Sequence, residues 1–152
     1  MSLESDRLQW EKDALSVRLP SGIQCTMEEI GGVDCMWVAD TENPDNKIIV
    51  YLHGGGLVVG SAITHQHLAA SLAQQTNSSV LLVNYRLLPE HEYPAPLEDV
   101  LSVYQTTGIH PINWFLREIH PVEVWHLLRL PVSEIPVFSC LAKPLWCLEH
   151  LI

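Results

Sequence analysis

Positive charge is scarce in this sequence. Eight Lys and Arg stand against eighteen Asp and Glu, a formal net charge of -10, so no basic patch exists to release counterions, and nucleic acid and anionic membrane are excluded as partners. Cysteine is also sparse. Cys25, Cys35, Cys140 and Cys147 form no Cys-x-x-Cys pair. With an opening Met-Ser-Leu-Glu-Ser-Asp-Arg too charged for a secretory leader, they are expected to be reduced thiols in a cytoplasmic protein. No apolar stretch reaches spanning length without Pro or charge, which predicts no membrane span. Glycine is absent after Gly108. Nothing in the composition calls for a cofactor. At 152 residues the chain is one domain at most, large enough to bury a core.

What is present centres on Ile48 to Gly60, Ile-Ile-Val-Tyr-Leu-His-Gly-Gly-Gly-Leu-Val-Val-Gly. The run from Ile48 to Leu52 has no polar alternation, the pattern of a strand buried on both faces of a parallel sheet. Gly54, Gly55 and Gly56 then admit backbone angles closed to other residues and let main-chain N–H groups approach a ligand. One use of such a loop is an oxyanion hole, where N–H donors face the oxygen that becomes negative as an ester carbonyl is attacked. The other reading is a glycine-rich turn joining a strand to a helix.

The second block is Asn84 to Asp99, Asn-Tyr-Arg-Leu-Leu-Pro-Glu-His-Glu-Tyr-Pro-Ala-Pro-Leu-Glu-Asp. Together the two blocks resemble the hormone-sensitive-lipase-like branch of the α/β-hydrolases, serine esterases and lipases that carry His-Gly-Gly-Gly followed by Tyr-Arg-Leu-Ala-Pro-Glu-His, Pro-Ala and Asp. Tyr85, Arg86, Leu87, Pro89, Glu90, His91, Pro94, Ala95 and Asp99 match, with Leu88 where Ala is usual. The resemblance runs from near Ser16 to about Tyr104 and then fades. It implies an α/β fold, the N-terminal part of an α/β-hydrolase sheet with crossover helices. It also implies a small neutral ester as substrate, Gly55 and Gly56 as oxyanion-hole donors, and His53 as the brace of their loop. Whole enzymes of this kind are about twice this length, because a large parallel sheet needs helices on both faces. The chain therefore reads as an incomplete sheet of four strands and two helices. A central strand with an open edge is expected to promote self-association.

Along the chain, Leu3 to Leu15 carries mixed charge with apolar Leu8, Trp10 and Leu15, a candidate short helix that matches nothing in particular and is left unassigned, so residues 1–15 stand as a separate N-terminal segment. Residues 16–108 form the partial hydrolase domain. Ser16 to Leu19 and Ile23 to Glu29, around the turn Pro20-Ser21-Gly22, and Val33 to Ala39 after Gly31-Gly32, read as opening antiparallel strands. Leu68, Ala69, Leu72 and Ala73 share one helix face between Thr64 and Gln75, with Thr64 as its cap. Ser79 to Asn84 is a second buried strand, so strand, helix and strand form a right-handed crossover. Tyr85 to Pro96, with three prolines, is a loop in which Arg86, beside Glu90, Glu92 and Asp99, serves a structural ion pair better than catalysis. Pro94 to Tyr104 reads as a helix with proline in its first turn. His53, His65 and His67 do not make a metal site, because a spacing of two on a helix points side chains to different faces.

A serine esterase further needs a Gly-x-Ser-x-Gly elbow, an acid and a His. None is found in residues 109–152. Ser133 and Ser139 lack flanking glycine, and His110, His120, His126 and His150 have no nucleophile to serve. Cys140 and Cys147 occupy no visible strand-to-helix turn. The tail instead has Trp114, Trp125 and Trp146 among spaced prolines, with no sustained period. Joining the last base of each codon to the first two of the next, Arg117 to His126 permits Gly-Asp-Ser-(Ser or Pro)-Gly-Gly-Gly-Leu-Ala, and Asn113 to Arg117 permits a short apolar strand before it. The reading is a frameshift near Ile112 or Asn113. As written, the chain holds the oxyanion half of an esterase and is expected to be inactive. Two alternatives stand beside it: a non-catalytic module that binds a small molecule or partner through the glycine loop, and a different enzyme with a thiol or metal site in the tail.

Overall fold

The computed structural model describes residues 2–41, 47–109 and 114–116. In chain order the elements are α1 (Leu3–Ser16), β1 (Ile23–Ile30), β2 (Val33–Asp40), β3 (Ile48–Leu52), α2 (Ala62–Thr76), β4 (Ser79–Val83), α3 (Ala95–Thr107) and β5 (Trp114–Leu116). The strands form one mixed sheet in the order β1-β2-β4-β3-β5. β1 pairs antiparallel with β2, and β2 antiparallel with β4. β3 lies parallel between β4 and β5.

The unalternating apolar runs do what their composition dictates, because side chains on a strand alternate faces and here both faces are covered. Val50, Leu52, Leu81 and Val83 join Leu97, Val100 and Val103 of α3 in one core layer. Tyr51, Val80 and Leu82 join Ala69, Ala70 and Ala73 of α2 in the other. Each fully buried aliphatic side chain contributes about 1.5 to 3 kcal/mol, so β3 and β4 are the most strongly held strands. The small residues of α2 let that helix lie close on the sheet.

The sheet is larger than the expected four strands and two helices, with five strands and three helices among the described residues. Ser16 to Leu19 is not a strand. Ser16 closes α1, its hydroxyl donating to the Asp13 carbonyl at 2.6 Å, and Val17 is its extended C-cap. Nor does α2 begin at Thr64. Ser61 is the N-cap and Thr64 its reciprocal partner three residues on, with Thr64 N–H donating to Ser61 Oγ at 3.3 Å and Ser61 N–H to Thr64 Oγ1 at 2.8 Å, an arrangement that satisfies two orphan donors at once. The expected open edge of β3 is partly closed. β5 pairs Trp114, Phe115 and Leu116 with Val50, Tyr51 and Leu52. The frameshift reading otherwise concerns residues outside those described, as do Ser133, Ser139, Cys140 and Cys147.

No helix among the described residues is long and apolar enough to cross a membrane. Cys25 and Cys35 are free thiols, and burial pushes the Cys35 thiol up to about 12.

Candidate active site

Parallel pairing of β3 with β4 in the register Leu52↔Val83 brings the carboxyl ends of both strands together. His53 follows Leu52 directly and Tyr85 lies two residues beyond Val83, so the two meet at the sheet end where open α/β sheets hold their ligands. The rings of His53 and Tyr85 stack with centroids 4.3 Å apart and planes 10° from parallel. The Tyr85 hydroxyl donates to the main-chain oxygen of His53. His53 is fully buried, and its Nδ1 lies 3.1 Å from the Gly54 carbonyl, which can only accept, so Nδ1 carries the proton. Nε2 is then a bare acceptor without a hydrogen-bond partner among the described residues. Burial, and secondarily the nearby His65, hold the imidazole neutral by lowering its pKa to about 4.

From this brace the glycine loop turns back on itself. Val58 and Val59 N–H both donate to the Gly55 carbonyl at 3.1 Å. The turn is so close that a Cβ on Gly55, at φ 127°, would stand 1.9 Å from the Val59 carbonyl oxygen. A Cβ on Gly60 would meet Gly54 O at 2.3 Å and His53 Nδ1 at 2.8 Å. Gly56 faces open space, with no atom within 4 Å of its would-be Cβ. Among the described residues, the N–H groups of Gly55 and Gly56 meet no acceptor. Two adjacent backbone donors, at the end of a buried strand and beside a neutral imidazole, are chemically equipped to receive an anionic oxygen.

The second motif is structural. Asp99, at the start of α3 and buried, accepts from Arg86 N–H at 2.8 Å and Nε at 2.9 Å, with Nη2 at 2.7 Å. Arg86 also reaches the Ala95 carbonyl at 3.3 Å and Glu98 at 3.5 Å. Donation to Asp99 raises the guanidinium pKa further. The expected ion pair is present with one correction. Glu90 is not Arg86's partner; Arg86's guanidinium is taken up by α3, and Glu90 pairs with Arg7 of α1 at 3.0 Å. Pro89 follows a cis peptide bond. His91 is exposed and lines, with Glu4, Arg7, Ser61 and Arg86, a polar cavity of about 530 Å³ that meets the glycine loop at Gly60.

The three histidines do not converge on a common ligand point. His67 Nε2 donates to the Ala14 carbonyl at 2.9 Å, and His65 lies 5.5 Å from His53, ring to ring. Local sequence carried no sign of Arg7, whose contacts lie 51 to 83 residues away. Nor did it mark Asn84, whose Oδ1 accepts from Ala62 N–H at the start of α2.

A strand-helix-strand crossover carrying a glycine loop at the carboxyl end of its first strand is the ligand-binding arrangement of an open α/β sheet. Residues 49–123 match the family model described as alpha/beta hydrolase fold, so the likeness continues past Tyr104. An esterase of the bacterial hormone-sensitive lipase family superposes with a TM-score of 0.74 at 28% identity, over 90% of this chain and 48% of that one. The chain has the α/β-hydrolase fold and is similar in sequence and structure to the hormone-sensitive-lipase-like esterases. Among curated relatives, an acetyl-hydrolase of Streptomyces hygroscopicus is 34% identical over 76 residues, 50% of this chain and 25% of that protein. An esterase of Acinetobacter venetianus is 40% identical over 67 residues, 44% of this chain and 22% of that protein. The chain thus spans about half the length of the solved esterase, and its match takes in a quarter or less of these curated relatives.

Proposed function

We propose that this chain carries the oxyanion-binding side of a carboxylic-ester hydrolase. The observation that carries the reading is the pair of unengaged N–H groups at Gly55 and Gly56, on a loop held by buried His53 and Tyr85. Relatives named as an acetyl-hydrolase and an esterase, together with a net charge of -10, favour a small neutral ester with a short acyl group. In attack on such an ester the two donors would stabilise the oxygen as it becomes negative. Each is worth roughly 3 to 4 kcal/mol where that charge develops. As written, the chain has no Gly-x-Ser-x-Gly, so it binds and does not turn over.

The proposed reason is a frameshift near Ile112 or Asn113, and the place of β5 bears on where the elbow would stand. β5 ends at Leu116, paired with Leu52, the residue before His53. The elbow permitted in the other reading frame begins at position 117, so it would follow directly from a strand that ends beside the oxyanion loop.

The purified chain is expected not to hydrolyse p-nitrophenyl acetate or butyrate above background, while butyrate shifts the amide resonances of Gly55 and Gly56. A gene restored to frame near Asn113 is expected to yield an active esterase. Turnover by the unrestored chain with a titratable serine would overturn the inactive reading. A restored frame that meets an early stop and encodes no elbow would remove the frameshift. Butyrate binding with an in-frame tail confirmed at the nucleotide level would favour the non-catalytic module.

A further inference from the structure

We propose that Arg7 is a positioning residue for the glycine loop, and that delivering this guanidinium is what α1 contributes to the site. The inference deepens the oxyanion reading and rests on it for its functional meaning. α1 buries none of its fourteen residues, and Leu8, Trp10 and Leu15 are half or more exposed, so the helix is not held by a core. Its Arg7, by contrast, has a largely covered side chain, 20% exposed, and every nitrogen of its fork is committed. Nε donates to the Val58 carbonyl at 2.8 Å and Nη2 to the same oxygen at 2.5 Å. Nη2 also donates to the Leu88 carbonyl at 2.6 Å. Nη1 pairs with Glu90 at 3.0 Å.

Those acceptors belong to two different loops. Val58 lies in the glycine loop, where its N–H and that of Val59 close on Gly55 O. Leu88 lies in the proline-rich loop, and its N–H donates to Leu57 O at 2.7 Å. One backbone hydrogen bond therefore ties the loops together, and Arg7 fastens the tie from outside by holding a carbonyl of each. Fixing Val58 fixes the turn whose other end is Gly55, so the direction of the Gly55 and Gly56 donors depends on a residue that touches neither. A lysine cannot replace the clamp, because a single ammonium does not reproduce the planar fork that serves two carbonyls and a carboxylate together.

The test uses the full chain with Arg7→Met, Arg7→Lys and Glu90→Gln, followed by amide hydrogen exchange and butyrate titration. In Arg7→Met, the amides of Val58, Val59 and Leu88 are expected to exchange about tenfold faster or more, as the three charge-assisted hydrogen bonds to the Val58 and Leu88 carbonyls are lost. Those of Leu81 and Leu82 in β4 are expected to hold their rates, and the shift of Gly55 and Gly56 with butyrate to weaken. Arg7→Lys should recover part of both, and Glu90→Gln, which leaves the carbonyl contacts in place, should change them least. If Arg7→Met does not fold, Arg7→Lys decides, with faster loop exchange over an intact β4 supporting the clamp. Unchanged exchange at Val58, Val59 and Leu88 would overturn the proposal. So would equal acceleration in β4, which would make Arg7 a general stabiliser. A parent chain whose Gly55 and Gly56 ignore butyrate would count against the ester-hydrolase reading instead, with Arg7's hold on the loops still decided by the exchange at those three amides.

Discussion

Gly55 and Gly56 are neighbours with the same formal duty and opposite tolerance for a side chain. A Cβ at Gly55 would sit 1.9 Å from a backbone oxygen, a clash that no rotamer relieves, so Gly55→Ala is expected to cost roughly 2 to 4 kcal/mol or open the loop. At Gly56 the space is free and only the positive φ of 62° is penalised, so Gly56→Ala is expected to cost about 1 kcal/mol. Urea midpoints of the two variants check this order. His53 gives a pH dependence. Its folded pKa lies at about 4 against an ordinary 6.5, so between those values the unfolded chain takes up a proton that the folded chain refuses. Stability should therefore fall as pH drops from about 6.5 to about 4, by roughly 3 kcal/mol for this group alone, and level off below. The measurement is the slope of the urea midpoint across that window, which should flatten in His53→Asn.

At the scale of elements, β3 is the strand on which the others depend, and its outer edge is covered by the short β5. A chain ended at Gly108 would leave Val50, Tyr51 and Leu52 without that neighbour, presenting unpaired backbone groups beside an apolar strand. It is expected to form larger particles by light scattering than the full chain at equal concentration. Parallel strands were legible in the sequence because burial on both faces removes polar alternation, and Ile48 to Leu52 has none. The ion pair of Arg86 with Asp99 was legible because both lie in one motif thirteen residues apart. α1 was legible only as a candidate helix without a partner, since none of its residues is buried. β5 was not, because three residues among spaced prolines have little preference of their own and are set by their neighbour. The start of α2 was missed by mistaking the third residue of a reciprocal cap for its first.

At the scale of the molecule, the described residues assemble part of an α/β-hydrolase fold, which we propose to carry the oxyanion-binding side of the chemistry. The glycine loop was readable as a motif, but what holds it in place was not, because Arg7 joins loops that no local pattern links. That clamp also has a consequence for the order in which the chain acquires its structure. Synthesised from the N-terminus, α1 precedes Val58 by 51 residues and Leu88 by 81. A helix of fourteen residues with no buried face is marginal in water by itself. α1 emerges before the elements it serves yet is among the last to settle, waiting on the sheet and both loops before its arginine has anything to grip.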